Sequence, residues 1–184
     1  GLVKSGGNPA TVSSVASFFV SRLDTAVDTL LKDLGGDELK HLEGRAAVAN
    51  AKLAYMDFGK DFYSGKFQLL KEKGSKVQRP LWASTSTKNP EYNDLLYVES
   101  LIGRDTVNTM PVETLATFMD HGVVEETLVK SVDESEQLIN SLSEVGISID
   151  KVTNQLLNQG VQSFSDSFDK LMSNLDSKIY QVLN

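Results

Sequence analysis

Val77–Pro90 reads VQRPLWASTSTKNP, and the fold turns on how that stretch is parsed. Pro80 to Ala83 has the apolar, aromatic composition of a short buried strand. It empties into small and hydroxyl residues, Ala83 to Thr87, and Lys88, Asn89 and Pro90 close the loop. The hydroxyls of Ser84, Thr85, Ser86 and Thr87, with nearby backbone N–H groups, can donate hydrogen bonds to an anion, and Lys88 adds charge. The same composition suits an ordinary solvated loop, so the residues alone leave two readings open.

Working upstream, Asp37 opens a long helical stretch with Ala46, Ala47, Ala49, Leu53, Ala54 and Phe58 on its small, apolar face. A second helix is expected over Phe62 to Lys73, ended by Gly74-Ser75. Before these, Val12 to Val20 (VSSVASFFV) reads as a buried strand that ends at Ser21 and Arg22. Asp24 or Thr25 is expected to cap a helix running to Leu34, with Val27, Leu30, Leu31 and Leu34 at helical spacing and Gly35-Gly36 as the stop. Gly1 to Ala10 reads as loop or a frayed helix end. Strand, helices, strand is the order of a βαβ unit with an enlarged crossover.

Downstream, Asn93 to Ile102 is expected to be a short helix and Thr106 to Met110 a third strand. Pro111 suits the first turn of a helix to about His121, which Gly122 ends. The remainder reads as helical. Asp133 caps a segment with Leu138, Ile139, Leu142 and Val145 inward, Asp150 caps another, and Val161 to Val182 carries Phe164, Phe168, Leu171, Leu175 and Ile179. No linker or repeat divides the chain, so 1–184 is read as one domain or part of one. Three parallel strands are a poor stopping point, because an open sheet leaves two edges and parallel sheets normally have both faces covered.

Composition narrows the function. The 184 residues carry a formal net charge of −7, which lacks the basic excess needed to release counterions from nucleic acid. A small phosphorylated ligand needs only a few local cations. With no cysteine, disulfides, thiolate metal sites and cysteine nucleophiles are excluded. His41 and His121 share no metal-ligand spacing, so no metal site is expected. No apolar run approaches the roughly 20 residues of a membrane span. The chain opens at Gly1 without an initiator methionine or a signal-like start, and residues are expected to lie upstream.

RPLWASTSTKNPEY (79–92), with SVASFFVSRLDT (14–25) before it and DTVNTMP (105–111) after it, resembles the transaldolase family in its plant and bacterial branch. The resemblance covers essentially the whole chain but only the C-terminal part of such an enzyme. It implies an α/β fold: about the last three β/α units of a (β/α)8 TIM barrel, with additional C-terminal helices. It also implies transfer of a dihydroxyacetone unit between sugar phosphates through a lysine Schiff base, in the pentose phosphate pathway, with no metal or cofactor. The partners it implies are ketose and aldose phosphates. The compartment it implies is cytoplasm or plastid, and the sequence in hand does not say which.

In that family a serine and an arginine after the sixth strand, and a serine and a cation after the seventh, hold the substrate's terminal phosphate or adjoining hydroxyls. Ser17 and Arg22 match the first pair, and Ser84 matches the second serine. Many members carry arginine two positions after that serine, where Ser86 stands here, so Lys88 takes the role of the cation. The family's Schiff-base lysine lies on the fourth strand in a motif of the form VKIPGT, which this sequence lacks. No catalytic residue is therefore assigned, and the segment alone is expected to be inactive.

Each assignment has a plainer alternative. Arg22 could pair with Asp24 or be solvated, Ser17 could be a small residue facing the barrel interior or a helix, and Lys88 could be a solvated loop lysine or itself a nucleophile. Asn108 and Thr109 read as structural residues beside the site, and Trp82 as core rather than a stacking platform. His121 sits where imidazole can meet the last carbonyls of a helix. Asp37-Glu38, Glu125-Glu126 and Asp133-Glu134 read as helix starts and solvated faces. A second class of function is a non-catalytic barrel fragment that binds sugar phosphates or pairs its strand edges, with a second copy or with the missing barrel half. A third is a minimal aldolase built on Lys88.

Overall fold

β2 spans Gln78–Ala83 and is flanked by β1, Ser14–Phe19, and β3, Val107–Asn108. All pairings are parallel, in the order β1-β2-β3, giving a mixed α/β chain with a three-stranded parallel sheet. The computed structural model describes residues 1–183, the side chain of Lys66 excepted. Two units separate, Gly1–Ile147 and Ser148–Asn184. The sheet belongs to the first.

Register sets the two faces of the sheet. Phe18 pairs with Trp82, and their rings meet edge-on at 5.6 Å between centroids. Trp82 is 1% exposed, so this is the face that the helices cover. Ser17 pairs with Leu81 and Phe19 with Ala83 on the opposite face, where Val15, Ser17 and Phe19 are exposed. Alternation along a strand makes this split unavoidable once Trp82 is buried.

α1 (Ser21–Leu34) starts directly after β1, earlier than a cap at Asp24 or Thr25 would allow. The turn at Val20 needs no side-chain cap because the backbone of β2 holds it. Val20 N–H donates to the Ala83 carbonyl at 2.9 Å, and Ser21 N–H to the Ser84 carbonyl at 3.0 Å. Leu23, Val27 and Leu31 form its buried stripe, while Leu30 and Leu34 are exposed. Gly35, with φ 75°, closes the helix by donating its N–H to the Leu31 carbonyl at 3.2 Å, a backbone conformation that favours glycine.

The expected single long helix from Asp37 is divided into a 3-10 segment, Asp37–Leu42, and α2, Ala46–Phe62. Glycine at 44 (φ 67°) makes the break. Ala46, Ala47, Ala49 and Ala51 are buried on α2, and α2 packs against α1 and α6, the latter Val132–Glu144. α3 (Gly65–Lys71) completes the crossover back to β2. α4 (Leu96–Glu99) is shorter than the Asn93–Ile102 helix expected, because Asn93 and Leu95 form a turn before it. α5 runs Val112–His121 between Pro111 and Gly122, matching the sequence signals at both ends. At the start of α6, Ser131 is the N-cap residue in left-handed backbone (φ 53°), and Asp133 falls inside the first turn.

The second unit is α7, one continuous helix over Ile149–Leu183 with Asp150 in its first turn. Phe164, Phe168, Leu171, Leu175 and Ile179 on it are exposed. Among the described residues, no helix is long and apolar enough to cross a membrane.

Candidate anion site at the strand tips

Parallel strands place their C-terminal ends together, and three tips meet here. β1 delivers Phe19 and the first turn of α1; β2 delivers the Ser84 loop; β3 delivers Asn108 and Thr109. The bond from Ser21 N–H to the Ser84 carbonyl fastens the first two. The third is fastened by Thr109 N–H, which donates to the Trp82 carbonyl at 2.9 Å. α1 and α5 each begin at this end, so their positive dipole ends lie where an anion would sit.

Arg22 stands in the first turn of α1. Its guanidinium carbon lies 5.1 Å from the centroid of the Phe19 ring, a cation–π contact with a ring on the open face that is 42% exposed. The alternative pairing with Asp24 does not occur. Asp24 points into the core, and among the described residues Arg22 makes no ion pair. Ser17 lies on the same face as Phe19, one pleat back from the tip. Ser84 is in left-handed backbone, φ 55°, a conformation that bends the chain off β2 and turns its carbonyl to Ser21.

The structure thus brings Ser17, Arg22 and Ser84 to one end of the sheet. Lys88 lies further along the loop and is exposed. Of the four loop hydroxyls, two are occupied. Thr85 is 0% exposed and donates to Asn108 Oδ1 at 2.8 Å, while Thr87 donates to the Asn93 carbonyl at 2.9 Å. Ser86 accepts from Thr114 of α5 at 3.3 Å and keeps its own proton to donate. Asn108 is accordingly a structural partner of the loop. Trp82 is core, as its strand position implied.

Phe19 was not singled out in the sequence, nor were Asp28, Tyr92 and Tyr97 behind the tips, and Asp24 was read as a helix cap or an Arg22 partner rather than as a buried acceptor. Asp24 Oδ1 accepts Ala47 N–H at 2.7 Å and Asp24 Oδ2 accepts the Tyr97 hydroxyl at 2.8 Å. One turn on, Asp28 accepts Gly44 N–H at 2.9 Å and the Tyr92 hydroxyl at 2.8 Å. Burial raises the Asp24 carboxyl to about 6 against the pull of its hydrogen bonds from Ala47 and Tyr97, with a further push from the Asp28 charge. Burial, and then the facing carboxylates, push both phenols well above the ordinary tyrosine range. The sequence signal was available: two aspartates at i, i+4 sit on the same stripe of α1 as Leu23, Val27 and Leu31, where solvated charges do not belong.

His121, at the end of α5, has carboxylates on both sides. Asp120 and then Asp94 hold its imidazolium form and raise its pKa. Among the described residues no group of three His, Asp or Glu side chains could hold a metal ion.

A family model described as Transaldolase/Fructose-6-phosphate aldolase matches residues 4–175. A protein named Transaldolase from Frankia alni is 45% identical over 178 residues, covering 96% of this chain and 48% of its own length. One so named from Mycolicibacterium smegmatis is 44% identical over 170 residues, with 92% and 46% covered. Another from Thiobacillus denitrificans is 43% identical over 171 residues, with 93% and 48% covered. The chain spans about half the length of the curated relatives it matches. A model match running through the strand tips, the helices around them and most of α7 means that the chain belongs to the transaldolase/fructose-6-phosphate aldolase family.

Proposed function

We propose that residues 1–184 are the C-terminal portion of a transaldolase-type (β/α)8 barrel, with β1, β2 and β3 as its sixth, seventh and eighth strands. In this reading the segment supplies the phosphate end of a sugar-phosphate site through Ser17, Arg22, Ser84 and Lys88. The observation that supports it most is the backbone bond from Ser21 to Ser84, which sets Arg22 beside the Ser84 turn at the carboxyl ends of parallel strands. Barrel enzymes place their chemistry at that end, and phosphate often lies near the last two strands.

The parent protein's reaction would begin with a lysine amine on the ketose carbonyl, forming a Schiff base with loss of water. Cleavage of the C3–C4 bond releases an aldose phosphate and leaves a dihydroxyacetone enamine on the lysine. The enamine carbon then adds to the carbonyl of a second aldose phosphate, and hydrolysis frees the new ketose. Arg22 and Lys88 would neutralise the phosphate, and the serines would orient it, in the cytoplasm or a plastid. The lysine belongs to chain upstream of this segment, so the 184 residues alone would turn nothing over.

A second reading is a non-catalytic half-barrel that binds sugar phosphates or self-assembles. It is favoured by the open sheet face carrying Val15 and Phe19 and by the outer edges of β1 and β3. Borohydride reduction with fructose 6-phosphate, followed by peptide mapping, tests the assignment of roles. No adduct, with phosphate binding that falls at least about tenfold in Arg22→Ala, supports the phosphate-site reading. A stable adduct on Lys88 overturns it. Sizing chromatography separates the second reading's assembly arm, for which a monomer is the adverse result.

A further inference from the structure

We propose that the contacts Asp24–Tyr97 and Asp28–Tyr92 position the anion site, holding the helix that carries Arg22 against the segment that follows the Ser84–Lys88 loop. This inference rests on the phosphate-site reading above. Neither aspartate touches the open face of the sheet. They are positioning residues.

The two ends of the site arrive on separate stretches of chain. Arg22 rides on α1, and Lys88 rides on a loop that runs directly into Tyr92. Thr87 donates to the carbonyls of Asn93 and Asp94 at 2.9 and 3.1 Å, and Tyr92 N–H donates to the Asn89 carbonyl at 3.1 Å. The segment 87–94 therefore moves as one piece. Asn93 joins that piece to α4 by accepting the N–H groups of Leu95 and Leu96, and the two are tied to α1 by the hydroxyls of Tyr92 in the segment and Tyr97 on α4, each at 2.8 Å from a carboxylate one helical turn from the other.

Each carboxylate also accepts a backbone N–H at the entry to α2, from Ala47 and from Gly44. Each thus fixes three segments by hydrogen bonds with directional requirements. Asp24 is 1% exposed, Asp28 7% and Tyr97 2%. Apolar side chains of similar size would hold α1 against the core at lower desolvation cost, but without fixing its rotation or its slide. A guanidinium carried on the first turn of α1 swings by more than a hydrogen bond's tolerance if the helix rotates only slightly.

The test is sulfate titration of the 184-residue chain, followed in 1H–15N spectra, because sulfate keeps a constant charge over the working pH range. Tyr92→Phe and Tyr97→Phe remove the hydroxyls while keeping the rings. Tyr55→Phe is the control, since its hydroxyl donates to the Arg104 carbonyl at 3.0 Å, at the other end of β3. Sulfate affinity is expected to fall about fivefold or more in Tyr92→Phe and Tyr97→Phe, and to stay at the wild-type value in Tyr55→Phe at a comparable urea midpoint. Asp28→Asn, which keeps an acceptor, is expected to retain more affinity than Asp28→Ala. Sulfate binding that is lost in Arg22→Ala yet unchanged in both tyrosine variants overturns this inference alone. No sulfate binding by the wild-type chain overturns the phosphate-site reading and this inference with it.

Discussion

At Asp24 a carboxyl group is folded away from water between a helix entry and a phenol. Its pKa of about 6 in the folded chain stands above the ordinary value of 3.8, so the native state holds the proton more tightly than the unfolded state does. The stability this group contributes is full below about pH 4 and is lost as pH rises through 6, a difference on the order of 3 kcal/mol. Urea unfolding at pH 4.5 and pH 7 should show that decline in the wild type and a flatter profile in Asp24→Asn. Ser84 makes a second residue-level test. Its left-handed backbone costs about 1–2 kcal/mol for a residue with a Cβ, so Ser84→Gly should hold or raise stability while Ser84→Val lowers it, read as shifts in urea midpoint. Arg22 and Ser84 were singled out together through the family resemblance, and the parallel sheet, which puts successive strand ends side by side, brings them to the same end. Thr85 and Thr87 were not separable from Ser84 and Ser86, since only the fold shows which hydroxyls its own carbonyls and amides claim. The Asp–Tyr contacts were invisible for a different reason: Asp24 and Tyr97, and likewise Asp28 and Tyr92, are brought together by the crossover and share no local pattern.

Among the three strands, β2 is the one that contributes a buried side chain, and that side chain is Trp82. Among the described residues the buried indole Nε1 has no hydrogen-bond partner, so Trp82→Phe gives up volume but no hydrogen bond. Trp82→Ala should cost about 3–5 kcal/mol and Trp82→Phe clearly less, measured by denaturant unfolding. The positions of the strands and of α5 were legible because apolar runs, proline and glycine act locally, although β1, read as buried over Val12–Val20, is largely exposed over Ser14–Phe19 and the third strand, read as Thr106–Met110, pairs only at Val107–Asn108. The starts of α1 and α2 were not. α1 begins on bonds from the β2 backbone, and α2, whose Arg45 makes no side-chain cap, receives Asp24 from another helix at its first turn. A sequence window cannot register a cap supplied from elsewhere in the fold. The division of the first long helix by the glycine at 44 was readable in principle, but the alanine-rich face that follows it outweighed it.

For the whole chain, the open sheet face in the first unit is the feature that bears on the barrel reading. If the upstream half of a relative such as the Frankia alni protein is supplied in trans, it should cover Val15 and Phe19. The expected results are a higher melting temperature, protection of the β1 amides from hydrogen exchange, and adduct formation on the added half under borohydride with fructose 6-phosphate. No change in any of these would count against β1–β3 as barrel strands.

The pairing of Ser14 with Gln78 carries a kinetic consequence. The first ladder bonds form only after α1, α2 and α3 have brought distant stretches together, so loop-closure entropy comes before its reward. During refolding, far-ultraviolet helix signal should return ahead of Trp82 fluorescence. The burial of that indole against Phe18 then serves as a clock for strand registration.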